Sequence, residues 1–158
     1  MGGEVIAPRG VGPAGKRPIG GKARRRRRLW VVAALLLVYP VFVIGFTWSH
    51  VLRSDLEGGR NGQLDAYRHA LASAVVSHTL GDWAVGVVTS VFEREDGQSN
   101  VMDRHNNRVG SRIGSRVAGF RDIEPAVRAA VLDGAVDAAD PDRISWLPAA
   151  RWRDGRLW

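Results

Sequence analysis

Two short stretches decide the reading of this chain: Asp65-Ala66-Tyr67-Arg68-His69, and Asp103-Arg104-His105-Asn106-Asn107 with Gly110 and Gly114 behind it. Each sets an acid at i and polar groups at i+3 and i+4, a spacing that stacks side chains on one helical face. Turned at about 100° per residue, the first stretch places Asp65, Arg68 and His69 in one arc with Leu64, Leu71, Ala72, Val75, Val76 and Thr79. Ala66, Ala70, Ser73, Ala74 and Ser77 take the opposite arc. The second stretch interleaves Asp103, Asn106, Asn107, Gly110 and Gly114 with Met102, Val109, Ile113 and Val117, and turns Arg104, Arg108, Ser111, Arg112 and Ser115 away. Amphipathic helices ordinarily keep charge on the wet face. Polar groups on the dry face are costly unless paired, so each helix is expected to supply partners for the other.

Outward from these stretches, 158 residues suit one modest domain with additions. The net charge of +7 invites a nucleic-acid reading, but its distribution argues against one. Residues 1–48 hold nine Lys or Arg against Glu4, a local balance of +8. From Ser49 onward fourteen Arg face fifteen acids, a balance of −1, so the excess positive charge lies outside the folded part and no nucleic-acid partner is expected. The absence of cysteine excludes a disulfide framework and a thiolate metal site.

Residues 1–28 form a basic tail rich in Gly and Pro and closed by the run Arg24–Arg28, expected to be disordered and cytoplasmic. Leu29–Trp48 is twenty residues without a charge, enough to cross about 30 Å of hydrocarbon as a helix. Trp30 and Trp48 suit interfacial aromatic belts, and Pro40 is tolerated in such a span. No Ala-x-Ala-like exit precedes His50, so a single-pass anchor fits better than a cleaved leader. The arginine run places the N-terminus in the cytoplasm and the C-terminal domain outside the cytoplasmic membrane.

Residues 49–62 read as a juxtamembrane linker with a Gly58-Gly59 hinge, and residues 63–158 as the helical domain that carries the polar site. The first signature helix is expected over 63–79, a second helix from Asp82 to about Asp96, the second signature helix from Asn100 to about Ala118, and a fourth from Asp122 through Val136. Residues 143–158 hold three tryptophans and an Asp154-Gly155 turn that would suit a short hairpin. The fold class is therefore all-α: a transmembrane helix followed by a small bundle of about four helices. The spacing Gly110-x-x-x-Gly114 lets a neighbouring backbone approach closely.

Asp65, Arg68, His69, Glu95, Asp103, Asn106 and Asn107 are the candidate site residues. Glu95 joins them because it falls on the apolar side of its own helix. Each has a structural alternative: an ion pair at Asp65 and Arg68, a cap at Asp103, a hydrogen-bonded rivet at the asparagines. Asparagine is a poor helix former, and two adjacent ones on a buried edge need several partners each. The i, i+4 pairs Asp65/His69 and Asp103/Asn107 offer nitrogen and oxygen ligands that suit zinc, manganese or calcium alike. Arg68 bound to Asp103 or Glu95, with no metal at all, accounts for the pattern equally well. His105 faces away by the helical count, and Glu57 lies in the linker.

The pair of signatures resembles that of a family of uncharacterised bacterial domains. Its members carry an Asp-Ala-Phe-Arg-His-type helix, a His-Glu pair, and then Met-Asp-Leu-x-Asn-Asn-x-x-Gly. The likeness covers about Asn61–Gly114, matching at Asp65, Arg68, His69, Met102, Asp103, Asn106, Asn107 and Gly110 and departing at Arg94-Glu95, where the family has His-Glu. The resemblance implies a site at the matched positions and names no reaction; if the missing histidine is a ligand in the family, the departure counts against a metal here.

The functional expectation is a hydrolase acting on an envelope substrate, with His69 as general base and Arg68 and the asparagines holding an anionic or carbonyl group. No serine elbow, phosphate loop or His-Glu-x-x-His motif narrows the reaction. The rival reading is a binding or scaffolding module whose polar network only specifies the bundle.

Overall fold

The computed structural model describes residues 20–86 and 98–153, without the side chains of 20–23, 34–36 and 98–100. The fold is mostly helical, with an apolar N-terminal helix leading into a bundle and one two-stranded sheet. Helix α1 spans Gly20–Val51, α2 Gln63–Leu80, α3 Gln98–Arg116 and α4 Ile123–Leu132. A helical turn covers 82–86, and 3-10 turns cover Phe120–Asp122 and Ala149–Arg151. The chain divides into compact units after Leu37. In the first, 20–37 are helical, the arginine run included.

In the second unit, the end of α1 is part of the core. Val43, Thr47 and Val51 are buried, with Tyr39 and Phe46 packed beside them, a spacing of i, i+4, i+7, i+8 and i+12. The Phe46 and Phe42 rings meet Phe120 at centroid distances of 5.1 and 6.0 Å. The segment after α1 packs against the same core. Ser54 and Leu56 are buried, and the Leu64 N–H donates to the Glu57 carbonyl at 3.1 Å.

Helix α2 is central, and its burial corrects the helical-wheel expectation. Ala66, Ala70, Ser73, Ala74 and Ser77, expected to face away, are all buried. A Cβ on Gly110 would lie 2.2 Å from the Ala70 carbonyl oxygen, and one on Gly114 2.1 Å from that of Ala74. The arc of small residues is therefore a docking face, because two backbones meet where neither side carries bulk. Helix α4 closes the core with Ile123, Val127 and Val131, four residues apart. The buried Tyr67 hydroxyl ties α2 to α4 by donating to Glu124 Oε1 at 2.8 Å.

The Asp154-Gly155 turn of the expected hairpin lies outside the described residues, and the strands that are described precede it. Strand β1, Ala135–Val136, pairs in parallel with β2, Ser145–Trp146. Helix α4 stops at Leu132 instead of continuing through Val136, because Gly134 passes under the Trp146 ring where a Cβ would sit 2.4 Å away. Beyond β2 the chain returns to the start of α2: the Leu147 N–H donates to the Asn61 carbonyl at 2.9 Å, and Arg153 bridges antiparallel to Arg60.

Candidate functional site

The first turn of α2 begins without a side-chain cap from Gly62. Asp65 supplies the anchorage instead. Its Oδ2 accepts the Asn61 N–H at 2.7 Å, while its Oδ1 accepts from the Arg68 guanidinium. Asn61 sits at φ +72, a left-handed conformation that asparagine tolerates better than most residues. Arg68 also lies over the Trp48 ring, 5.7 Å from its centroid.

One turn along, His69 Nε2 faces Asp65 Oδ1 at 3.5 Å and Asp103 Oδ1, on α3, at 3.6 Å. The Asp65 side chain is 2% exposed, Asp103 15% and His69 27%, so the acids are covered while the imidazole remains reachable. Asp103 Oδ1 is buried with no hydrogen-bond partner among the described residues. Burial pushes the Asp103 carboxyl up from its ordinary range and the Asp65 charge adds to the rise, against the opposing pull of His69, Arg68 and Arg60. Arg68 Nη2 also lies 3.3 Å from His69 Nε2, and because a guanidinium only donates, Nε2 is the acceptor in that contact.

The cluster opens a polar seam along the α2–α3 contact. The Ser73 hydroxyl donates to Asn107 Oδ1 at 2.9 Å. Farther on, Asp82 Oδ1 accepts from the Ser77 hydroxyl and, at 3.0 Å, from that of Ser111. Position 69 is thus followed at four-residue steps by 73 and 77, opposite 103, 107 and 111. Beside this end of the seam lies a cavity of about 480 Å³, lined by Asn107, Ser111, Asp82 and the arginines 104, 108 and 112.

Of the expected site residues, Asp65, Arg68, His69 and Asp103 come together, and Asn107 follows one turn along the seam. Asn106 serves elsewhere. Its Nδ2 donates to the Ser145 carbonyl at 2.7 Å and its Oδ1 accepts the Ser145 N–H at 2.9 Å, so the carboxamide pairs with β2 as a third strand would. Adjacent helical positions point about 100° apart, which separates the two asparagines. Glu95 lies outside the described residues. His105 faces the other way, as expected, with Nε2 2.6 Å from the Arg143 carbonyl oxygen. Asn61, Ser73, Ser77 and Ser111 were not singled out from sequence, and Asp82 was read as a helix cap; the four-residue spacing from His69 and Asp103 was the signal for the three serines.

Residues 29–135 match the family model described as Domain of unknown function (DUF6973), more than half of the chain. The chain belongs to that family. No curated protein and no solved structure matches it. The DUF6973 match takes in the whole Asp65–His69–Asp103 cluster and stops before Ser145, the backbone partner of Asn106.

The donor atoms of Asp65, His69 and Asp103 all lie within 4.8 Å of one another. Oxygen and nitrogen ligands about 2.1 Å from a tetrahedral zinc sit roughly 3.4 Å apart, so donor type and spacing in this DUF6973 domain suit a divalent cation. The Arg68 guanidinium, however, already brings positive charge to Asp65 Oδ1. Metal and guanidinium would compete for that oxygen.

The raised carboxyl of Asp103 carries a stability consequence. A group that holds its proton more tightly folded than unfolded lends stability below its ordinary value and withdraws it as pH rises through the folded one. Asp103→Asn should therefore melt above wild type at pH 7.5, the gap narrowing toward pH 4 as wild type takes up the proton. Melting curves by circular dichroism at the two pH values check this, and a gap that widens in acid would contradict it.

Proposed function

We propose that this chain is a single-pass membrane protein whose helical domain hydrolyses an envelope substrate bearing a carbonyl or an anionic group. The observation that carries the reading is the half-open imidazole of His69, flanked through Nε2 by two covered carboxylates, one of them without a hydrogen-bond partner. In this reading water gives a proton to the His69 imidazole as its oxygen attacks, Asp65 and Asp103 stabilise the imidazolium, and that proton passes to the leaving group. The neighbouring cavity, with Asn107 and its three arginines, suits the anionic portion of the substrate. Helix α1 is long and apolar enough to span a membrane, and the arginine run orients its N-terminus to the cytoplasm. The proposed location is the cytoplasmic membrane with the domain outside it. The partners are lipid and an envelope component, and the basic tail calls for no nucleic acid.

A scaffolding reading has its own support. Asp65 is fully engaged by the Asn61 N–H and Arg68, which fastens the first turn of α2 to the preceding loop. The two readings part at His69. As a base, its replacement in His69→Ala should abolish hydrolysis of p-nitrophenyl acetate and bis(p-nitrophenyl) phosphate by the full chain in detergent, with melting unchanged or raised. As a strut, its loss should lower the melting temperature by several degrees, with no wild-type turnover to lose. Repeating the wild-type assay and melt with EDTA and with added zinc or manganese tests the metal. Because Arg68 holds the shared oxygen, neither is expected to move the melt; a rise of several degrees with metal would instead make the cluster a metal centre.

A further inference from the structure

The apolar run Leu29–Trp48 is not all available to lipid. From Tyr39 onward one face of α1 belongs to the core: the Tyr39 hydroxyl bonds to that of Thr79, Val43 and Thr47 are buried, and Phe46 packs on Phe120. The other face of the same turns stays outward and apolar at Val38, Val41, Phe42 and Ile44. At 1.5 Å per residue, Leu29–Val38 amounts to only ~14 Å, about half of the ~30 Å that a hydrocarbon core requires. If α1 crosses a bilayer, the turns from Val38 to Trp48 must lie at membrane depth as well, and with them whatever packs against them.

What packs there is the C-terminal end of α2, through Thr79. Immediately after Thr79 the chain exposes Leu80 and Trp83, the latter 72% exposed and among the most exposed large apolar side chains among the described residues. The Trp83 ring lies close to the Gly81 backbone, at the turn that ends α2. An exposed indole with an apolar neighbour has the make-up of a surface that lipid covers.

We infer that the domain is sunk into one leaflet of the bilayer: Leu80 and Trp83 meet acyl chains, at the level that the Tyr39–Thr79 bond sets on α1. The partner is the bilayer itself. The inference rests on the anchoring reading given above and adds that the domain does not stand clear of the membrane.

The chain has no cysteine, so single-cysteine variants carry a reporter without background. The full chain would be labelled with a polarity-sensitive fluorophore as Val32→Cys, Leu80→Cys, Trp83→Cys or Ala139→Cys. Each is placed in phosphatidylethanolamine and phosphatidylglycerol vesicles doped with a nitroxide lipid. Ala139 is an exposed position after β1 and serves as the aqueous control. Positions 80 and 83 should be quenched roughly tenfold more strongly than 139, as groups that meet acyl chains would be. Strong quenching at 32 with 80 and 83 no better than 139 would overturn the seating and leave the anchor intact. No quenching at 32 would overturn the anchor and the seating together. Leu80→Cys reads the surface with Trp83 in place, so a loss caused by removing the indole itself would show as a difference between the two.

Discussion

Gly110→Ala should cost about 3 kcal/mol or more of stability, an effect beyond most single methyl insertions. The added Cβ would meet the Ala70 carbonyl oxygen at 2.2 Å and its Cα at 2.7 Å. These are backbone atoms of a helix buried on nearly every side, so no rotamer change relieves the clash. The helices would have to part, and the Ser73–Asn107 bond and the His69–Asp103 approach would be stretched with them. Gly114→Ala should behave alike, its Cβ landing 2.1 Å from the Ala74 carbonyl oxygen. Gly45→Ala on α1 is the control, with nothing within 4 Å of the new atom. It should be neutral or gain up to about 1 kcal/mol from helix propensity. Denaturant unfolding of the full chain measures all three, and a loss below about 1 kcal/mol at Gly110 would mean the helix contact yields more readily than its geometry implies.

Asn106→Leu is expected to cost about 3–5 kcal/mol, because it strands two buried backbone groups at once. Leucine fills a similar volume but offers nothing to the Ser145 N–H or to its carbonyl, and the residue is 0% exposed. Asn106→Asp restores an acceptor without a donor and should fall short of rescue. The neighbouring change Asn107→Ala removes one hydroxyl–carboxamide bond and should cost only about 1 kcal/mol. Proteolysis after Trp146 gives a second readout, since releasing β2 exposes that bond before global unfolding. Equal losses at 106 and 107 would contradict the division of labour between them.

Much of the architecture was legible because period and end signals agree. Helix α2 was expected over 63–79 and ends at Leu80, with Gly81 at φ +93 beyond it. The Gly110-x-x-x-Gly114 ridge announced a close backbone approach, and α2 provides it. The wheel failed on the other side of α2, since alanine and serine look like a weak outward face while they are in fact what lets two helices touch. Composition also cannot separate contact with lipid from contact with protein. Leu29–Trp48 therefore read as a uniform span, although its later turns help to build the core. Of the site, the spacing of Asp65, Arg68 and His69 was informative, and so was the convergence with Asp103. The roles of Asn61 and Asn106 depend on partners far away in sequence, which no local pattern announces.

The link from Asn61 to the C-terminal region has a bearing on biosynthesis. The Asn61 carboxamide donates to the Arg151 carbonyl across ninety positions, its own carbonyl receives the Leu147 N–H, and its backbone N–H holds Asp65. A nascent chain stalled before residue 145 has already made α1, the histidine and both acids. It still lacks the strap that tightens the turn beneath them, so the pocket would ripen only once residues 147–151 had been made, after any insertion of α1 had begun. Closing so long a loop costs little more than closing a short one, but it has to wait for the strap to be made.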